Sequence, residues 1–174
     1  MFIVVRAFAT VAVVACTVAA GVVQAQERTS DVRTFAILPE RVESDPNNPG
    51  QLIRAGHPEG ITADADGNVY AATFDVGVAN FIYIFDTIGA LKVTLPFPEG
   101  RAPLGMVTNR LFLYVYDVLN GDLLRYNLPV TSGSQPTAIY DVCGGFLAAF
   151  GIGAPGREFC ALNSNDIGPD GRIY

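Results

Sequence analysis

Two short stretches hold the side chains best suited to chemistry. His57-Pro-Glu-Gly-Ile-Thr-Ala-Asp-Ala-Asp-Gly-Asn-Val-Tyr70 and Asn163-Ser-Asn-Asp-Ile-Gly-Pro-Asp-Gly-Arg-Ile-Tyr174 each set acidic and amide residues ahead of an Asp-Gly turn. Carboxylate and amide oxygens are the ligands a hard divalent cation takes, so these residues are candidate metal ligands. The bland alternative is turn chemistry. Asn and Asp bond their own backbone in tight turns, which accounts for Asp64, Asp66, Asp170 and Gly171 without any function. Other reactive constellations are missing from the sequence: it has no Gly-x-Ser-x-Gly elbow, no phosphate loop and no Cys-x-x-Cys pair.

The elements that must position these residues read as short strands. Gly60 to Ala63 leads into the Asp64-Ala-Asp-Gly67 turn, and Val69 to Phe74 follows. Phe81-Ile-Tyr-Ile-Phe85 is a continuous apolar run of the kind buried on both faces. Ala90 to Leu95 alternates as a half-exposed outer strand does. The pattern then restarts: Leu104 to Thr108 matches Glu59 to Ala63, and Leu111 to Asp117 matches Val69 to Asp75. Asn120-Gly121 is a hairpin signal, with Leu123 to Tyr126 and Thr137 to Asp141 completing a second group of four. A third copy opens at Asn165 and stops at Tyr174. Groups of four strands recurring at this spacing point to an all-β chain, a β-propeller of four-stranded antiparallel blades. A β-sandwich is the alternative, but it does not require groups of four with one internal punctuation. About two to two and a half blades cannot close a ring, so the expectation is an incomplete fragment that needs the remainder of the propeller for closure.

Upstream, Thr34 to Leu38 is a strand candidate and Pro39 to Gly50 a loop, which makes residues 26–56 an N-terminal strand and loop ahead of a partial propeller over 57–174. Residues 1–25 read as a signal peptide, with one charge at Arg6, an apolar stretch to Val23 and small residues at Val23-Gln-Ala25. Two alternatives stay open: lipid anchoring through Cys16, in Val13-Val-Ala-Cys16, and an uncleaved membrane anchor. The expected location is secreted or periplasmic. Cys143 and Cys160 then form an even pair in an exported chain, most simply a disulfide. All 17 acidic residues lie beyond the signal against 11 Lys and Arg in the whole chain. That acidic balance argues against nucleic acid, and against a membrane once the signal is removed, as partners.

Pro58-Glu-Gly-Ile61 before Asp66-Gly-Asn-Val-Tyr70, and Asn165-Asp-Ile167 before Pro169-Asp-Gly-Arg-Ile-Tyr174, give the chain a resemblance to the family of the senescence marker protein, gluconolactonases and strictosidine-synthase-like propellers, with paraoxonases more distant. The resemblance spans roughly 57–174 and is weak between 129 and 160. It implies a six-bladed propeller holding a divalent metal, usually calcium, in its central tunnel. Carried over residue by residue, it makes Glu59 and Asn165 metal ligands and Asp166 a possible neighbour. A metal there polarises a lactone or ester carbonyl and lowers the pKa of bound water. The middle repeat departs from the pattern, with Leu104-Gly105 where Glu59-Gly60 stands.

The implied function is an exported, metal-dependent hydrolase acting on a small-molecule lactone or ester. The alternative is a non-catalytic propeller of the NHL type that serves as a binding or scaffold module. No catalytic residue is assigned. His57, the single histidine, stands beside Pro58 at the expected tunnel mouth, where it is either a base or an ordinary loop residue. Asp75 and Asp117 end equivalent strands and read as structural. Tyr70, Phe74, Phe81, Phe85, Tyr114, Tyr116 and Tyr126 read as packing between blades.

Overall fold

Asp-x-x-Gly-x segments set the architecture, because each one reverses the chain in the same way. Asp64 Oδ1 accepts the N–H groups of Asp66 (3.0 Å) and Asn68 (2.9 Å), and Gly67 takes φ 82°. Asp86 Oδ1 accepts those of Ile88 (3.0 Å) and Ala90 (2.9 Å), and Gly89 takes φ 84°. The aspartate side chain substitutes for a strand partner inside the turn, and only glycine takes the positive φ without a steric cost. The computed structural model describes residues 34–145, 160, 166–168 and 172–173.

Around these turns the chain lays down β3 (Pro58–Ala63), β4 (Val69–Thr73), β5 (Phe81–Phe85) and β6 (Leu91–Pro96), an antiparallel sheet in chain order. A second sheet follows in the same way: β7 (Pro103–Thr108), β8 (Phe112–Asp117), β9 (Asp122–Asn127) and β10 (Ala138–Asp141). The fold is all-β, neither sheet closes on itself, and the two have the strand order of propeller blades. β5 is buried along most of its length, as an apolar strand covered on both faces must be, while β6 is largely exposed at the edge.

The third copy begins as the sequence suggests. Ile167 bridges Ile173, and Gly168 N–H donates to Arg172 O at 2.9 Å. Ala63 pairs with Val69 and Asp64 N–H donates to Asn68 O in the first sheet, with the same spacing.

One core lies between the two sheets. Tyr70, Ala72, Ile82, Ile84, Leu95 and Phe97 from the first meet Met106, Leu113, Val115, Leu124, Tyr126 and Val130 from the second. Burying one such large apolar side chain is worth about 1.5–3 kcal/mol, so this interface holds the sheets in their mutual orientation. A second cluster forms around Ala102, Tyr116, Val118 and Leu123, with Cys143, Cys160 and Ile173 packed against it. Cys143 and Cys160 are joined by a disulfide, and Tyr116 Oη donates to Cys160 O at 2.6 Å beside it.

The N-terminal expectation is corrected. Thr34 to Leu38 is not a strand. The segment read as a loop, Pro39 to Gly50, instead opens with a strand, β1 (Arg41–Ser44), which pairs antiparallel with β2 (Leu52–Ala55) just beyond it. The cause is Asp45, which folds the intervening residues on itself: Oδ1 accepts Asn47 N–H and Oδ2 accepts Asn48 Nδ2, both at 2.8 Å. Arg41 of β1 stacks over the Phe81 ring at 4.3 Å and donates to Ala79 O. The signal segment, Cys16 included, lies outside the described residues. Among those described, no helix is long and apolar enough to cross a membrane.

Candidate functional site

The site is built at the start of the innermost strands. β3 and β7 both begin at proline, which a strand tolerates at its first position because no ladder N–H is needed there. Both are then interrupted. In β3 Pro58 faces Thr73 and Gly60 faces Ala72, so Glu59 is an extra residue. In β7 the register shifts in the same way between Pro103 and Met106. A bulge re-aims the side chain it carries. Glu59 is exposed and takes no hydrogen bond from any described residue.

The strands approach closely at this point. A Cβ on Gly60 would stand 2.2 Å from Leu104 O, so glycine is required for the backbones to meet. Thr108 Oγ1 donates to Ala63 O and ties the other ends of the two strands.

An aspartate fastens the start of each inner strand. In the first sheet Asp75 Oδ2 accepts the N–H groups of Gly56 and His57, and Asp75 Oδ1 meets His57 Nδ1. Asn80, itself buried, holds the Asp75 backbone from both sides: Asp75 N–H donates to Asn80 Oδ1 at 2.8 Å, and Asn80 Nδ2 donates to Asp75 O at 2.9 Å. In the second sheet Asp117, 0% exposed, accepts Ala102 N–H (3.0 Å), Leu119 N–H (3.2 Å), Asn120 Nδ2 (2.7 Å) and Arg101 Nη1 (2.8 Å). Arg101 Nη1 also reaches Asp122 at 2.7 Å. These aspartates therefore have the structural work the sequence implied. A cleft of about 530 Å³ opens beside them, lined by Asp75, Asn80, Phe97, Glu99, Arg101 and Leu119 among others.

Away from this end, Asp64 is turn chemistry. Burial works against its charge, yet hydrogen bonds from Asn68 and Tyr70 outweigh that and hold the carboxyl below its usual range. Burial, reinforced by Asp64, pushes the Tyr70 phenol up.

Of the ligands implied by the family resemblance, Glu59 is exposed on β3, with no hydrogen-bond partner among the described residues. Asp166 is exposed, and its Oδ1 accepts Ile167 N–H at 2.7 Å, the turn role that was its bland alternative. Asn165 lies outside the described residues. The hairpin spacing sets Asp166 level with Thr62 rather than with Glu59. Among the described residues no group of three or more His, Cys, Asp or Glu could hold a metal ion. Calcium takes six to eight oxygens, so the described carboxylates fit its chemistry but do not fill its coordination.

Nothing in the spacing of the sequence joins His57 to Asp75 or marks out Arg101. One signal lay in the repeats: Arg101-Ala-Pro103 stands where Gly56-His-Pro58 stands, and an aspartate follows shortly after β4 and closes β8. The chain matches no protein-family model, no curated protein and no solved structure.

Proposed function

We propose that this is an exported, gluconolactonase-like propeller that hydrolyses a small lactone or ester with the help of a divalent metal, calcium. The observation that carries the reading is Glu59. A charged side chain is set on a bulge of the innermost strand, exposed and without a partner among the described residues, at the point where two strands converge. Bulges recur next to active sites because they turn a side chain toward the reacting centre. The Cys143–Cys160 disulfide supports export, since such bonds persist in oxidising compartments.

In this reading Glu59, Asn165 and Asp166 supply oxygens to the cation. The bound ion contributes Lewis-acid polarisation of the substrate carbonyl. Glu59 presents its carboxylate from the strand, and the close approach of Gly60 to Leu104 positions the backbone that carries it.

Calcium titration of the full-length protein, followed by thermal melting, tests the proposal. Binding to the folded state alone stabilises by about 2.7 kcal/mol at a hundredfold excess over Kd. The shift should be largely lost in Glu59→Gln, and hydrolysis of δ-gluconolactone or phenyl acetate should require the ion. A wild-type protein whose melting and activity ignore both calcium and chelator would overturn the metal reading. It would favour a binding module instead.

A further inference from the structure

The loop after β4 is longer than its counterpart in the second sheet. Residues 74–80 join β4 to β5, whereas residues 118–121 suffice to join β8 to β9, closed by Gly121 N–H on Asp117 O at 2.8 Å. The added residues are surplus to reversing the chain. They form one wall of the 530 Å³ cleft, and the β6–β7 connection, Phe97 to Arg101, forms the other. We propose that this cleft binds a small organic ammonium ion, a cation that carries a hydrocarbon body. The inference is independent of the hydrolase reading above.

Both walls are held before any ligand arrives. Asn80 clamps the Asp75 backbone, and its Nδ2 also reaches Arg101 O on the facing wall at 3.4 Å. Arg41 Nη1 donates to Ala79 O at 2.9 Å. Gly77 lies so near Pro46 that a Cβ on it would stand 2.9 Å from the proline Cγ. A loop braced at its base and from behind has little freedom left to lose on binding, so more of the contact energy shows as affinity. The volume falls within the range of about 300–1,000 Å³ that small-molecule sites occupy.

Charge selects the sign of the ligand. Of the described residues, three with ionisable side chains line the cleft: Asp75, Glu99 and Arg101. Arg101 is already engaged by two carboxylates, with Nη1 at 2.8 Å from the buried Asp117 and 2.7 Å from Asp122. Asp75 is shared with the His57 ring. Glu99 is exposed, with no hydrogen-bond or ion-pair partner among the described residues. The field in the cleft is therefore negative, and low-dielectric walls concentrate such a field.

The remaining groups select the kind of cation. The backbone oxygens nearby are taken: Asp75 O and Arg101 O accept from Asn80, and Gly100 O accepts from Asn120. Val78, Phe97, Pro98 and Leu119 offer hydrocarbon only. A bare calcium ion wants six to eight oxygens and gains nothing from such walls. An alkyl- or arylammonium ion matches both parts. Its N–H groups donate to the Glu99 carboxylate as charge-assisted hydrogen bonds, and its carbons leave water against the apolar side chains.

Titration of the full chain with 2-phenylethylammonium, followed in ¹H–¹⁵N spectra, tests the proposal. The amide signals of Val78, Ala79, Gly100 and Leu119 should move together and saturate. 2-Phenylethanol, the same body without the charge, should bind about fivefold more weakly, and 3-phenylpropanoate more weakly still. Glu99→Gln should weaken the amine by about fivefold, the upper end for an exposed ion pair. Ala79→Lys should abolish binding by setting a like charge on the wall. Asp66→Asn removes the same charge from an exposed turn outside this cleft and should leave the Kd unchanged. That control separates a local contact from attraction by the acidic chain as a whole. Equal binding of amine and alcohol, or equal Kd in Glu99→Gln and Asp66→Asn, would overturn recognition of the cation. The absence of saturable shifts at the lining residues would overturn the site itself. None of these readouts involves turnover or a metal, so a failure here and a failure of the hydrolase reading are told apart.

Discussion

Replacing Gly60 with alanine tests whether the inner strands really meet as described. The added Cβ would lie 2.2 Å from Leu104 O and 3.4 Å from Leu104 C. Carbon–oxygen contacts between neighbouring strands run at about 3.3 Å or longer, so the overlap is about 1 Å. The obstacle is backbone, which cannot rotate away, and it is held by the rest of β7. Overpacking of this kind costs about 1–3 kcal/mol, and the upper end applies here. Alanine recovers about 0.5–1 kcal/mol of that through the unfolded chain and strand propensity. The net expectation is a loss of about 2 kcal/mol, or about 4–8 °C in melting temperature for a chain of this size. Urea unfolding should show the midpoint falling by about 1 M at unchanged slope. Gly133→Ala is the control. Its Cβ would meet nothing within 4 Å, so it should be neutral or slightly stabilising. A Gly60→Ala protein that melts as high as the Gly133→Ala control would refute the close approach of β3 and β7.

Three further outcomes are expected. Tyr126 is 0% exposed and its hydroxyl has no hydrogen-bond partner among the described residues. Tyr126→Phe should therefore gain about 1 kcal/mol, read as a higher melting temperature, and a loss would show that the hydroxyl is satisfied after all. Asp117→Ala should cost about 1–3 kcal/mol because it leaves the Ala102 N–H without its acceptor, while Arg101 keeps Asp122. Asp122→Ala should cost under about 1 kcal/mol, since Arg101 keeps Asp117; equal losses in chemical unfolding would contradict this ranking. Burial, with Asp117 and Asp122 adding to it, pushes the Tyr116 phenol from 10.0 up to about 12, and Tyr70 and Tyr126 are raised too. The unfolded chain then loses these protons first, so stability is full below the ordinary phenol value and falls as pH rises through it toward the folded value. Tyr116→Phe should flatten that alkaline limb in unfolding midpoints measured against pH.

The strands from β3 onward were legible because their boundaries are chemical. Asp64 and Asp86 stand three residues before a glycine, and the apolar runs between the turns are long enough to show their burial. β1 and β2 were not legible. Arg41-Val-Glu-Ser44 and Leu52-Ile-Arg-Ala55 are four residues each, too short to display a period, and Asp45-Pro-Asn-Asn-Pro-Gly50 has the composition of a loop whether or not its flanks pair. The disulfide followed from counting cysteines. The His57–Asp75 pair did not follow from spacing, because 18 residues separate them and only the β3–β4 register brings them together.

Strand order that follows chain order has a consequence for how the protein is made. Every strand from β3 to β10 pairs only with its neighbours in sequence within its sheet, so a sheet is complete as soon as its own four strands exist. Contacts of short sequence separation also form fastest. At about 5–20 residues per second of synthesis, the first sheet has time to assemble before the second has been delivered. Cys143 and Cys160 both follow Asp141, the last residue of β10. Oxidation therefore acts on a chain whose sheets already stand, and the bond secures a finished surface rather than guiding strand pairing. Pulse-labelled chains should accordingly become protease-resistant across β3–β6 before the disulfide appears. Reductant present during synthesis should leave that resistance intact.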